Sequence, residues 1–160
     1  MSESKLHVIV ANGIIAAIYF ILTIISLPIS FGIINIRIAE VLVLLCFFRR
    51  DYIFGVTLGC ILSNLTSNLG AWDILIGGGA TFLSCLLICY ASPRFWVACI
   101  YPIVINCFVI GAELTWILGF PYALSVLAVA GGEFAAMLVG FILYLLLRKR
   151  PQFYDIIRVS

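Results

Sequence analysis

The sequence predicts an all-α integral membrane protein with six transmembrane helices, and the evidence is its composition and its long apolar runs. Hydrophobic residues make up 65% of the 160 residues and charged residues only 10%, whereas an ordinary soluble domain has about 45–50% apolar and about 25% charged residues. The runs lack the alternation of a transmembrane β-strand, so helices are the remaining spanning structure. This composition excludes a nucleic-acid-binding protein, a disordered tail and a secreted disulfide scaffold.

Six apolar runs give the number of helices, because a helix needs about 20 apolar residues to cross the hydrocarbon layer. The second run is the least regular, since Arg37 and Glu40 lie inside it. No repeat or linker divides the chain, so we predict one membrane domain over residues 1–160. The predicted spans cover residues 7–27, 36–48, 52–69, 74–90, 95–118 and 122–147.

Residues that interrupt membrane helices follow each run. The first run stops at Pro28 and exceeds the 7–15 apolar residues of a signal-peptide core, so we interpret it as a retained span. Pro102 lies inside the fifth run, where a proline predicts a kink and not a boundary. The other runs end at polar, glycine, proline or basic residues, at positions 49–51, 70–73, 92–94, 119–121 and 148–150.

Basic residues predict the orientation of the helices, because cytoplasmic loops carry an excess of Lys and Arg. Eight of the nine Lys and Arg residues lie at the N-terminus, after even-numbered spans or at the C-terminus. We therefore expect both termini in the cytoplasm. These eight residues are Lys5, Arg49, Arg50, Arg94, Arg148, Lys149, Arg150 and Arg158.

Motifs for catalysis or metal binding are absent from the sequence. Lys occurs only at positions 5 and 149, which excludes a phosphate-binding loop of the Gly-x-x-x-x-Gly-Lys type. The six cysteines lie inside predicted spans without Cys-x-x-Cys spacing, so we interpret them as small hydrophobic residues and not as zinc ligands. We predict no catalytic residue, no metal and no cofactor for this chain.

Polar residues in the predicted spans are the candidates for a functional site, because charges inside a membrane are costly. At about 1.5 Å per residue, Glu113 and Glu133 lie roughly 28 Å and 22 Å from the basic anchors of their helices, in the outer half of the bilayer. This distribution predicts a ligand pocket that opens to the outside. Its candidate residues are Arg37, Glu40, Asn64, Asn68, Trp72, Asp73, Glu113, Trp116, Tyr122 and Glu133.

The charges of this set predict the chemistry of the ligand. Arg37 and Glu40 are three residues apart, so we expect them to share a helix face and pair. Asp73, Glu113 and Glu133 then remain as acceptors for a ligand with a guanidine-like edge or an amine. The aromatic members of the set have two interpretations, a stacking surface for a flat ring or an interfacial belt.

Small residues recur every four positions on several runs, for example at Gly55 and Gly59, and this spacing permits close packing of membrane helices. On the first run, Gly13, Ala16 and Ala17 lie toward the cytoplasmic half, away from the predicted pocket. We interpret these three residues as a surface for another membrane subunit.

Six short spans, an outward pocket and no energy source resemble the substrate-binding S components of energy-coupling factor (ECF) transporters. Three stretches are similar to the QueT family of queuosine-precursor transporters within that group. They are Ile-Arg-Ile-Ala-Glu-Val at residues 36–41, Gly-Cys-Ile-Leu-Ser-Asn-Leu at 59–65 with Trp-Asp-Ile at 72–74, and Gly-Glu-Phe at 132–134.

The resemblance implies an S-component-like bundle in the plasma membrane of a prokaryote. It implies a membrane T component and two cytoplasmic ATPase subunits as partners, which use ATP. The implied ligand is a 7-deazaguanine, such as 7-aminomethyl-7-deazaguanine, or queuine. S components dock through an Ala-x-x-x-Ala stripe on the first helix, and here Gly13 and Ala17 are the nearest substitute.

Two alternatives remain open from the sequence. One is an S component for a different vitamin or small cationic heterocycle. The other is a membrane structural or assembly subunit without a transport role, whose acidic residues pair with a partner helix.

Overall fold

Four helices of the computed structural model are long and apolar enough to cross a membrane. The structure describes residues 3–26, 37–67 and 69–153. Within this part of the chain every regular element is helical, so the predicted all-α membrane bundle is confirmed. The spanning helices are α1 (Glu3–Ile25), α3 (Ala71–Ala91), α4 (Phe95–Ala98) with α5 (Ile100–Leu118) as one unit, and α6 (Tyr122–Leu147).

The second and third predicted spans form shorter apolar helices. Ile38–Phe47 is a 3₁₀ helix of 10 residues, and α2 is an α-helix of 13 residues, Tyr52–Asn64. With rises of about 2.0 Å and 1.5 Å per residue, each is about 20 Å long, whereas the hydrocarbon core is about 30 Å thick. The number of six spans and the orientation of the termini therefore stay predictions.

Local backbone chemistry explains where the observed ends differ from the predicted ones. α2 ends at Asn64, and not at residue 69, because Thr66 and Ser67 turn the backbone back through hydrogen bonds to Ser63 and Asn64. The predicted kink near Pro102 is an interruption at Cys99, between α4 and α5. A proline ring clashes with the carbonyl four residues earlier, here that of Ala98, the last residue of α4.

The 3₁₀ helix lies among the other elements, with α1, α2, α3 and α6 packed around it. Its buried face contributes Ala39, Val43 and Leu44 to the larger apolar core. Glu40 lies on the same short helix and is also buried. The packing therefore carries a carboxylate into the interior of the bundle, where polar residues of the surrounding helices can meet it.

Helices α1 and α2 approach closely along the predicted stripe of small residues. A Cβ atom added to Gly59 would lie 2.6 Å from Tyr19 Cβ and 3.0 Å from the carbonyl oxygen of Ala16. The backbone N–H of Gly55 donates a hydrogen bond to Asn12 Oδ1 at 2.6 Å. Close packing through Gly55 and Gly59 is thus confirmed, and it fixes α1 against α2.

Gly59→Ala tests this contact. Because the added methyl group would overlap α1, we expect a loss of about 1–3 kcal/mol in the free energy of unfolding. Thermal unfolding of the purified protein in detergent measures it. The matched control is Gly79→Ala on α3, where an added Cβ meets nothing within 4 Å and stability should be equal or higher. Equal melting temperatures for Gly59→Ala and wild type would contradict the close contact.

Candidate functional site

Buried polar side chains from five elements gather in the interior of the bundle. None of them is more than 6% exposed, which is unusual for charged and amide groups. Buried charges in a membrane protein mark functional positions, since each needs a partner. We call this set the polar cluster, and its members are Arg37, Glu40, Asn64, Asp73, Asn106, Glu113 and Glu133.

The positive charge of the polar cluster is paired with Asp73. Arg37 Nη2 donates to Asp73 Oδ1 at 3.3 Å and to Oδ2 at 3.4 Å. Asn64 Nδ2 donates to the backbone carbonyl oxygen of Asp73 at 2.7 Å, which ties the end of α2 to the same residue. Of the three carboxylates predicted as ligand acceptors, Asp73 is therefore already used within the protein.

Arg37 has Asp73 as its ion-pair partner, whereas the sequence predicted a pair of Arg37 with Glu40. Arg37 has an extended backbone, with φ −99° and ψ 99°, and precedes the 3₁₀ helix. Arg37 and Glu40 nevertheless line the same crevice, and the backbone N–H of Glu40 donates to the Arg37 carbonyl oxygen at 3.0 Å. Glu40 Oε1 accepts a hydrogen bond from the Tyr19 hydroxyl of α1 at 2.5 Å.

Sequence reasoning missed several residues of the site. Tyr19 and Asn106 lie in apolar runs, and Asn106 Nδ2 donates to Glu133 Oε1 at 2.8 Å. Cys60, interpreted from the sequence as apolar packing, has its sulfur 3.2 Å from Thr81 Oγ1 and 3.9 Å from Arg37 Nη1. The available signal was the scarcity of amides in these spans, which would have singled out Asn106 but not Tyr19.

Unpaired acceptors dominate the chemistry of the polar cluster. The amide nitrogens of Asn64 and Asn106 both donate hydrogen bonds to protein oxygens. What these two side chains can still offer a ligand is their amide oxygens, which are acceptors. Six carboxylate and amide oxygens of the cluster are buried without a hydrogen-bond partner among the described residues. Buried polar atoms are normally hydrogen-bonded. These six are Glu40 Oε2, Asn64 Oδ1, Asn106 Oδ1, Glu113 Oε1, Glu113 Oε2 and Glu133 Oε2.

A narrow crevice runs through the polar cluster. Arg37, Glu40, Asn106 and Glu133 line it together with Gly77, Thr81 and Ile110. It has no space wide enough for a water-sized sphere, so a larger ligand would have to move its walls apart. A Cβ atom at Gly77 would lie 2.7 Å from Asn64 Nδ2, which explains the glycine at this wall.

Two tryptophans lie together at one end of the bundle. The ring centroids of Trp72 and Trp116 are 6.4 Å apart, and the rings are tilted by 46°. With Ile117 they border an open cavity of about 310 Å³. Trp72 is adjacent in sequence to Asp73, so this aromatic pair lies close to the polar cluster. Tyr122 is exposed at the start of α6 and does not line this cavity, and Asn68 lies outside the described residues.

The predicted partner surface on α1 divides into two faces. Gly13 and Ala17 are exposed, and a Cβ atom at Gly13 would meet nothing within 4 Å. Ala16 is only 3% exposed and packs against Gly59 of α2. Gly13 and Ala17 are therefore accessible to a partner, whereas Ala16 is part of the interior. In the part of the chain with described coordinates, no group of three His, Cys, Asp or Glu residues could hold a metal ion.

Asp73→Asn tests the buried ion pair. Removal of the Asp73 charge leaves the Arg37 guanidinium without its carboxylate in the interior, and breaking such a pair costs about 3–5 kcal/mol. Asp51→Asn is the matched control, because its pair with Arg49 at 3.0 Å is partly exposed and contributes about 0–1 kcal/mol. Chemical unfolding in detergent should separate the two variants, and an equal loss in both would contradict a stabilising role for the buried pair.

Comparison with known proteins identifies the family of the chain. The model of the QueT transporter family matches residues 9–149. The queuosine precursor transporter QueT of Lactococcus lactis subsp. cremoris (strain MG1363) is 34% identical over 168 aligned residues, which cover 94% of this chain and 97% of the relative. No solved structure matches the chain. The chain belongs to the QueT family of multi-pass membrane transporters.

Proposed function

We propose that this protein captures a queuosine precursor of the 7-deazaguanine type from outside the cell, as the S component of an ECF importer. The observation that carries the proposal is the excess of buried acceptors in the polar cluster, where six oxygens have no hydrogen-bond partner among the described residues and lie beside one ion-paired guanidinium. Such a site favours a ligand rich in N–H donors. The relative from Lactococcus lactis has a name that states the transport of a queuosine precursor.

The chemistry of a 7-deazaguanine complements these acceptors. Its guanidine-like edge carries the ring N1–H and the 2-amino group, its five-membered ring carries another N–H, and the 7-aminomethyl derivative adds an ammonium group. Glu113 and Glu133 are the best candidates to accept from these donors, with Glu40 as a third carboxylate. The ammonium group also balances carboxylate charge inside the membrane, where unbalanced charge is costly.

The two tryptophans support recognition of a flat ring. Trp72 and Trp116 border the open cavity, Trp72 directly precedes Asp73 in the chain, and aromatic faces stack well on heterocycles. We assign to them the first contact with the ligand, before it enters the crevice between the 3₁₀ helix, α3, α5 and α6. The Arg37–Asp73 pair keeps a wall of that crevice in place and contributes no free carboxylate.

In this proposal, partner subunits supply the energy for release of the ligand into the cytoplasm. A membrane T component and two ATPase subunits drive transport with ATP, and this chain binds no cofactor of its own. Both termini lie in the cytoplasm of a prokaryotic cell, as the distribution of basic residues predicts. Gly13 and Ala17 on the exposed face of α1 form the contact with the T component.

Equilibrium binding of 7-aminomethyl-7-deazaguanine to the purified protein tests the ligand. We expect binding by wild type and a loss of at least about tenfold for Glu133→Gln with Glu113→Gln, because each carboxylate bond to a cationic or N–H donor contributes about 1.5–3 kcal/mol. Asp51→Asn, which removes a carboxylate outside the polar cluster, is the control and should bind as wild type does. Absence of wild-type binding, or binding by the double variant at wild-type affinity, would sink the assignment, and a thermal-shift screen would then identify another vitamin.

Gly13→Leu with Ala17→Leu tests the partner surface. Both positions are exposed, so the larger side chains fit the isolated protein and should block only the close approach of another helix. We expect the melting temperature to stay unchanged while co-purification with the T component and ATPases is lost. Gly79→Leu with Gly131→Leu, at exposed glycines of α3 and α6, is the matched control. Full co-purification of the α1 variant would count against docking through this face.

A further inference from the structure

Two carboxylates of the polar cluster are held in the same way by neutral donors. The Tyr19 hydroxyl donates to Glu40 Oε1 at 2.5 Å, and Asn106 Nδ2 donates to Glu133 Oε1 at 2.8 Å. In both carboxylates the second oxygen, Oε2, is buried without a partner in the described part of the structure. Each donor therefore occupies one oxygen and leaves the other as an acceptor.

The two held carboxylates line one crevice from different elements. Glu40 belongs to the 3₁₀ helix and Glu133 to α6, and both are among the residues that border the crevice. The last torsion of a glutamate side chain is broad and has a twofold preference, so an isolated carboxylate can rotate freely. A donor on Oε1 removes that freedom and fixes the direction in which Oε2 accepts.

The donors themselves are held by packing. Tyr19 is 0% exposed, and its Cβ faces Gly59 across the close contact of α1 with α2. Asn106 is 3% exposed on α5. Both donor side chains are therefore enclosed by protein. The geometry of the acceptors is thereby set before a ligand arrives, which lowers the entropy that binding would otherwise lose.

We propose that Tyr19 and Asn106 are positioning residues, which orient Glu40 and Glu133 so that each free Oε2 accepts from a different N–H group of a cationic 7-deazaguanine. This inference rests on the proposed function and adds the residues that determine its specificity. A site built to hydrogen-bond a given N–H group rejects the analogue that lacks it, because the buried acceptor is then left unpaired. Two oriented carboxylates therefore discriminate at two separate points of the ligand.

Binding of three probes to single variants tests the proposal. The probes are 7-aminomethyl-7-deazaguanine, 7-deazaguanine, which lacks the ammonium group, and 7-aminomethyl-7-deazahypoxanthine, which lacks the 2-amino group. We expect wild type to prefer the first probe over both analogues by about tenfold or more. Tyr19→Phe and Glu40→Gln should both lose the discrimination against one of the two analogues. Asn106→Leu and Glu133→Gln should both lose the discrimination against the other analogue.

The controls separate positioning from a structural effect. Tyr101→Phe removes a tyrosine hydroxyl bonded to the Ala91 carbonyl, away from the polar cluster, and should leave all three affinities unchanged. Asn12→Leu removes the amide that accepts from Gly55, so it should lower the melting temperature without altering the ratios between probes.

Each remaining outcome overturns a defined claim. If wild type binds and discriminates but Tyr19→Phe and Asn106→Leu leave every affinity unchanged, the positioning role is wrong and the proposed function stands. An equal loss for all three probes in these variants would also overturn it, since a structural defect weakens every ligand alike. If wild type binds none of the probes, the proposed function fails and this inference fails with it.

Discussion

The buried ion pair between Arg37 and Asp73 connects the ends of the elements that build the site. Arg37 precedes the 3₁₀ helix, Asp73 lies in the first turn of α3, and Asn64 at the end of α2 donates to the backbone of Asp73. Neither charge can be solvated by lipid, so the pair has few alternatives to this geometry. Because Glu40 and Cys60 lie on the 3₁₀ helix and α2, joining these ends also places both residues in the interior.

A second constraint is the imbalance between donors and acceptors around that pair. In a protein interior, most buried polar groups are hydrogen-bonded to protein or to ordered water. Within the described part of the chain, the polar cluster departs from that rule on the acceptor side, with Glu113 contributing two of the unpaired oxygens. Rules of local structure, such as the hydrogen bonding of every buried polar group, tend to fail at functional positions. At such a position a ligand supplies the missing hydrogen-bond partners. The imbalance therefore identifies the site more sharply than cavity volume does, since the crevice in the polar cluster has no space for a water-sized sphere.

The sequence was a good guide to the membrane class and to the acidic residues, and a poorer guide to how they pair. The lipid bilayer determines the composition and the length of the apolar runs, so these two features predicted the helical bundle and the long helices directly. Glu40, Glu113 and Glu133 were recognisable because a carboxylate in an apolar run is rare. The Arg37–Asp73 pair joins residues 36 positions apart, and no periodicity encodes such a contact. Tyr19 was missed because a tyrosine in an apolar run looks like core.

The absence of a side chain at Gly59 has a consequence for how α1 can turn. Because the backbone of α2 at Gly59 lies directly against Ala16 and Tyr19, a rotation of α1 about its axis would bring different side chains against this glycine. Its inner face holds the Tyr19 hydroxyl on Glu40, and its outer face bears Gly13 and Ala17. The rotation of α1 about its own axis therefore determines the position of both faces. A rotation caused by contact at one face would move the other face as well.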